Sequence, residues 1–519
     1  MTFTSLTFIC FLPLIFALYW ILAKPKSQNI LLIVASYVFY GWWDYRFCAL
    51  ILASSLVDFA LGYWMDQSNS QRRRKALLVS SLVLNLGLLG LFKYFNFFAE
   101  SFTAMAGGLG WSPDPITLNV ILPVGISFYT FQTLSYTIDI YRRQIRASHS
   151  LINYLAFVSF FPQLVAGPIE RASNLLPQFA KRRKFDLAQA RSGCRLILWG
   201  FFKKVVIADR LAIIVDQVYS QPESVAGPLL AFATVCFAFQ IYCDFSAYSD
   251  IAIGTARLFN ITLMRNFAYP YFSQSINEFW HRWHISLSTW FRDYIYIPLG
   301  GSRQGSAKKT RNLLATFVVS GFWHGAGWQF LAWGGIHGGA VAAVHGAGRV
   351  TSRGKAKARH KSSEPNPKQT LTTVSATEPK HKSKRKQPVP GGERLIPHPK
   401  TSLKMLLTFS IVCLCWVFFR ADSIGDACMI IGRIFTDIGN LPAWHALSEF
   451  VLDDKQTKRA VVIVLAFVSI EWLQRRKMCP LDMSNAPVFI RWTAYTLLLW
   501  YTLCYMTPSA SQQFIYFEF

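Results

Sequence analysis

The chain has 519 residues, 52% of them hydrophobic and only 15% charged, with a mean hydropathy of +0.28. That balance excludes an ordinary soluble domain and points to a polytopic membrane protein. The formal net charge of +26 would suit a nucleic-acid binder, but much of it is local: 14 Lys/Arg against 3 Asp/Glu, a net of +11 (14 − 3), lie between Arg349 and Lys400.

Apolar runs at Thr4–Ala23, Phe47–Met65, Ala76–Phe98, Leu118–Ile138, Ser402–Phe419, Val461–Leu473 with its flanks and Val488–Met506 approach the length of a membrane span. A crossing needs about 20 mostly apolar residues, and on that criterion the chain holds roughly ten to twelve membrane helices. The first run has no basic leader and no clear small-residue cleavage site after it, so it reads as retained. The ten cysteines, Cys10, Cys194, Cys413 and Cys415 among them, form no C-x-x-C pair and read as small buried apolar residues.

Short Lys/Arg-rich loops stay on the cytoplasmic side. Lys24/Lys26, Arg72–Lys75, Arg142–Arg146, Lys181–Lys184 and Arg475–Lys477 are such loops, whereas Ala99–Asp114 has no Lys or Arg. Alternation then places both chain ends outside. One stretch breaks the pattern: LINYLAFVSFFPQLVAGPIER (151–171) lies between two basic clusters and is interrupted by Pro162 and Gly167-Pro168. A segment that enters and returns on one side satisfies both clusters. Because irregular backbone at membrane depth needs protein or water around it, such a dip hints at a cavity.

Further along, residues 239–261 place Tyr242, Asp244, Asp250 and Arg257 in an apolar context. Ionisable residues there are costly, and these read either as a packing network or as the lining of a substrate path. Asp250 and Arg257, seven apart, share a helical face. In Ser275-Ile-Asn-Glu278 the spacing is that of a capping box, which predicts an amphipathic helix running to about Tyr294 before Pro298 and Gly300-Gly301 stop it. His284 falls at the border of its faces, one turn from Trp280 and from Ser288. The helix is too polar to face lipid and should line an interface or an internal funnel.

The run TFVVSGFWHGAGWQFLAWGGIHGG (316–339) centres on Trp323-His324-Gly325. Glycines there bring backbones together and break the helix, leaving His324 at a buried discontinuity. A neutral imidazole in that place serves either as a base or as a structural hydrogen-bonder. His337 reads as structural. The basic stretch from Arg349 to Lys400, rich in Pro, Ser and Thr, reads as a disordered cytoplasmic loop attracted to anionic lipid headgroups.

Six motifs, PVGISFYTFQ (123–132), FPQLVAGPIER (161–171), YCDFSAYSDIAIG (242–254), WHISLSTWFRDYIYIPLGG (283–301), WHG (323–325) and WVFFRA (416–421), together resemble the membrane-bound O-acyltransferase family. Within it the match is to the bacterial branch that O-acetylates alginate, and more distantly to that of teichoic-acid D-alanylation. They run in family order over most of the chain. His281 stands where that family commonly has arginine.

The resemblance implies an all-α fold ringing a central tunnel, with His324 the essential histidine and His284 its partner. Trp323, Ser288, Asp244, Asp250 and Tyr242 are then candidates for the tunnel wall. It also implies a place in the inner (cytoplasmic) membrane, contact with membrane lipids and no nucleic acid. No bound cofactor or metal is implied; acetyl-CoA or another acyl thioester would be the donor. A periplasmic acetyltransferase would be the partner and an exported polysaccharide the final acceptor, with D-alanyl transfer or transport of an acylated intermediate as alternatives. Residues 1–348 and 401–519 would form one membrane domain interrupted by the basic loop, 349–400. Deleting Ser352–Pro390 should therefore leave acylation largely intact, with weaker membrane or partner association. Acylation measured at matched expression checks this, and complete loss would place the loop in the site.

Overall fold

The computed structural model describes the chain except residues 112, 115, 120, 304, 361–391, 393, 478–479, 507–513 and 516–519, and it leaves the side chains of 346–360 undescribed. Among the described residues there are helices and connections but no strand. Helices close every backbone hydrogen bond within one segment, which is what a chain in lipid needs.

Among the described residues four helices are long and apolar enough to cross a membrane: Arg46–Gln67, Gln71–Gly108, Gly227–Leu258 and Pro399–Arg420. This is fewer than the ten to twelve spans expected. The other apolar runs fold as helices that are shorter or more polar, such as Leu6–Ile21, Ile126–Tyr141 and Lys455–Gln474. At Leu118–Ile138 the cause is local: Gly125 turns the chain with φ 77° and the helix begins only at Ile126. A Cβ on Gly125 would also meet Leu164 O at 2.8 Å, so glycine is required twice over.

Helix Gly227–Leu258 is the axis of the fold. In its most apolar window 72% of residues are buried, against 17% for Gln71–Gly108 at the periphery. Outward-facing residues are apolar, among them Leu14, Val83, Leu406 and Trp500. Exposed apolar surface on this scale is the signature of a face that meets something other than water. Cys10, Cys194, Cys428 and Cys504 lie on this exposed surface rather than in the interior, a correction to the reading of the cysteines as buried. An apolar thiol sits as well against acyl chains as in a core.

The interrupted segment 151–171 folds as helix Leu151–Ser159, a break at Phe160, one turn at Phe161–Leu164 and an irregular stretch to Arg171. It is enclosed by protein: Phe157, Phe160, Phe161, Leu164 and Ile169 are buried. The break is chemically satisfied. Phe157 O accepts from Gln132 Nε2 at 2.7 Å and Gln163 Nε2 at 2.9 Å, and the Phe161 N–H donates to Ser36 Oγ at 3.0 Å.

Helix Trp328–His360 continues past Arg349 into the basic stretch; residues 361–391 lie outside the described residues. Single cysteines at the exposed positions Arg146 and Arg182, flanking the broken segment, should both label from the cytoplasmic face of oriented vesicles if that segment enters and returns. Labelling from opposite faces would mean that it crosses.

Candidate active site

Helices Ser306–His324 and Trp328–His360 form a tight hairpin. A Cβ on Gly321 would run into the Phe330 carbonyl, and one on Gly334 into the Phe317 carbonyl, so only glycine permits this approach. His324 is the last residue of the first helix, and Gly325 continues as extended backbone. Helix ends leave carbonyls without intrahelical partners. Here Lys93 Nζ donates to Trp323 O at 2.9 Å and His324 O at 3.0 Å, and Tyr94 Oη donates to Phe322 O at 3.0 Å. A cation at a helix C-terminus also faces the negative end of its dipole. Lys93 and Tyr94 reach this point from a π turn, Gly90–Tyr94, inside the long helix Gln71–Gly108.

Around His284 the structure departs from the single capped helix expected. Ser275 does cap, accepting from the Glu278 N–H at 3.2 Å, but the helix is only Ile276–Trp280. His284 then adopts a left-handed conformation, φ 43° and ψ 54°, and a second helix covers Ile285–Phe291. The interruption comes from the passing segment 262–268. The Ala268 N–H donates to Arg282 O and the Ile285 N–H to Asn266 O, each at 2.9 Å, bonds that a continuous helix would not allow. That segment is itself pinned. Gln178 exchanges two hydrogen bonds with the Thr262 backbone, at 2.8 and 3.0 Å, and the buried Glu170 accepts from the Met264 N–H.

The result brings the two histidines together. Their ring centroids are 6.3 Å apart, with His284 0% and His324 4% exposed. Trp323, Trp333 and Phe419 surround His324 at 5.0, 5.2 and 5.5 Å, and Phe245 stands edge-on to His284 at 4.7 Å. Trp323 bridges both rings and stacks on Phe131, which stacks in turn on Trp290 at 3.8 Å. His337 lies behind Trp333 and accepts from Trp280 Nε1 at 3.3 Å. His281 is exposed and turned back on Asn277 O.

Two cavities border elements around the pair, though neither is lined by His284 or His324 itself. One, of about 530 Å³, is lined by Lys309, Phe317 and Ser320 of helix Ser306–His324 together with Trp280, Ser288 and Arg292. The other, of about 430 Å³, lies beyond the helix end, against Phe330, Phe419, Lys204, Asp209 and Asp244. Ser288 and Asp244 thus border different cavities. Asp244 is also paired with Lys204 at 2.6 Å and accepts from the Ile515 N–H at 2.8 Å.

Tyr242 and Asp250 are not brought to the pair. They line a separate cavity of about 140 Å³, where Tyr242 donates to Glu471 at 2.8 Å and Asp250 holds Lys203 at 2.8 Å. The partner of Arg257 is Ser192, not Asp250. Among the described residues no three His, Cys, Asp or Glu side chains gather as metal ligands would.

The family model for membrane-bound O-acyltransferases matches residues 34–363. The chain belongs to that family. It is 34% identical to the probable alginate O-acetylase AlgI of Pseudomonas putida, with 100% of both chains aligned. It is 31% identical to the peptidoglycan O-acetyltransferase of Helicobacter pylori, over 99% of this chain and 97% of the relative. With the teichoic acid D-alanyltransferase of Streptococcus thermophilus the identity is 31%, but over only 41% of this chain and 55% of the relative. As a family member the protein is an O-acyltransferase of the membrane.

Two residues of the site escaped sequence reading. Lys93 was legible in principle, as a lone charge in the apolar run LGLFKYF. Asn266, in the irregular segment behind His284, carries no periodic signal. Replacing Lys93 by Met should strip two buried carbonyls of a charged donor, at about 1–3 kcal/mol. The expected result is a lower unfolding temperature in detergent and reduced acyl transfer, with partial rescue by Lys93→Arg.

Proposed function

We propose that the protein takes an acetyl group from a cytoplasmic acyl thioester, such as acetyl-CoA, and delivers it for O-acetylation of an exported, alginate-like polysaccharide. The observation that carries this reading is the buried histidine pair, with one cavity along the helix that ends at His324 and a second against Phe419, which packs on the His324 ring. Full-length similarity to two O-acetylating relatives, against a partial match to a D-alanylating one, favours acetyl as the group moved.

The larger cavity suits the donor. Arg292, Lys309, His281 and His345 border it around a wall that includes Trp280, Leu287 and Phe291, a combination that accommodates a phosphate-bearing carrier with an apolar arm. The hydroxyl acceptor approaches from the other side, past Phe330 and Phe419. His324 takes the hydroxyl proton as the oxygen attacks the thioester carbonyl carbon. The new C–O bond forms, the C–S bond breaks, and the sulfur leaves as a thiol on receiving that proton. His284 holds the reacting group in line across the same junction. An acyl-histidine or acyl-serine intermediate is the alternative route over the same atoms. A periplasmic acetyltransferase completes delivery to the polysaccharide, and the inner membrane is the seat of the reaction. The basic loop, 349–400, takes no part in the chemistry.

Acetylation of exported polysaccharide at matched expression tests the reading. His324→Ala should lower it by at least about 10²-fold, the scale of a lost general base, while membrane insertion persists. His284→Ala should impair it less. Near wild-type acetylation with His324→Ala would overturn the mechanism and favour transport of an already acylated intermediate.

A further inference from the structure

We propose that Asn266 is a positioning residue for acyl transfer, fixing both the tautomer and the orientation of His284. The inference rests on the reading of His284 as part of the site.

Asn266 is fully buried on the segment that interrupts the His284 helix. Its Oδ1 lies 3.2 Å from His284 Nδ1, 3.2 Å from the Ser286 N–H and 2.9 Å from Ser286 Oγ, while its Nδ2 donates to Ser249 Oγ at 3.2 Å. The amide cannot be turned over, because Nδ2 would then oppose the Ser286 N–H, donor against donor. The atom facing His284 is therefore an oxygen that only accepts, and Nδ1 must carry the proton. With Nδ1–H committed, Nε2 at the far edge of the ring is the basic nitrogen. A histidine is useful only in the tautomer that presents its lone pair to the reacting atoms, and the partner of its other nitrogen sets that tautomer.

Asn266 also determines the backbone. Its carbonyl accepts the Ile285 N–H at 2.9 Å, so one residue holds the main chain after the left-handed His284 and the ring of its side chain. Ser249 ties it to the central helix Gly227–Leu258, and Glu170 fixes the chain two residues earlier. The ring is thus referenced to the long, largely buried central helix.

The experiment uses the full chain in native membranes that retain the periplasmic acetyltransferase, with labelled acetyl-CoA as donor and an acetyl-accepting polysaccharide extract as acceptor. Asn266→Ala should lower kcat by about 10- to 100-fold, the range typical of a residue that orients a functional histidine, with the KM for acetyl-CoA little changed. Asn266→Asp keeps the accepting oxygen and should retain most of the activity. Its carboxylate favours the imidazolium, and because the working form is the neutral ring with Nε2 basic, the acid limb of the pH–rate profile moves to higher pH. A purely structural asparagine would give the opposite order, since a new buried charge harms folding more than a truncation does, and would leave the pH profile in place. Asn266→Ala added to His284→Ala should cost nothing further. Wild-type kcat in Asn266→Ala, or an unshifted pH profile in Asn266→Asp, overturns the proposal. Wild-type activity in His284→Ala alone would instead overturn the reading of His284 on which it rests.

Discussion

A backbone amide taken out of water must find its partner within the protein, and this chain breaks its helices at both histidines. That constraint organises the interior. At His324 the exposed helix carbonyls are met by Lys93 and Tyr94; at His284 the irregular backbone is met by Asn266, Ala268 and Arg282. The third break, at Phe160, is met by Gln132, Gln163 and Ser36. Each interruption is a place where a helix would otherwise continue, and each is held at least in part by backbone or side chains of another element. The breaks are therefore also what binds those elements to one another.

Charge inside the fold follows the same rule. Successive lysines on the π turn Phe202–Ala208 diverge into different cavities, Lys203 to Asp250 and Ser246, Lys204 to Asp244 and Asp209 at 2.6 and 2.9 Å. A regular helix would also separate neighbours in this way, but the π turn sets both along the central helix. Asp58, fully buried, is held by Ser81 at 2.6 Å and Asn85 at 2.9 Å. Buried charges of this kind stabilise little in themselves and act mainly by fixing one arrangement over its competitors, the role we assign them here.

How much of this was legible in the sequence depends on the range of the interaction that decides each feature. The helical class, the hairpin at Gly321-Phe-Trp-His-Gly325 and the break near Phe160 were visible because composition, glycine and proline act locally. That Asp250 and Arg257 share a helical face did not say what either would meet: Lys203 and Ser192, from other helices, are their partners. The continuous helix after Ser275 failed because Ser275 caps as expected, with Glu278 reaching back to the Gln274 N–H, but the helix length is set by a passing segment of irregular chain. Asn266 could not be singled out at all, since nothing about an asparagine in RNFAYP says that it will face a histidine 18 residues on.

The aromatic wall around the histidines has a chemical consequence of its own. A thioester is an activated carbonyl, and the commonest nucleophile in any cell is water. With Trp323, Trp333, Phe419, Phe245 and Phe267 packed about two almost fully covered imidazoles, solvent has little room beside the rings; on the proposed reading of His324 as the base, an activated acyl group there would be shielded from idle hydrolysis. Whatever oxygen does arrive must be attached to something long enough to be threaded in. On that reading, the packing of these rings is what would separate a transferase from a thioesterase built on the same imidazoles.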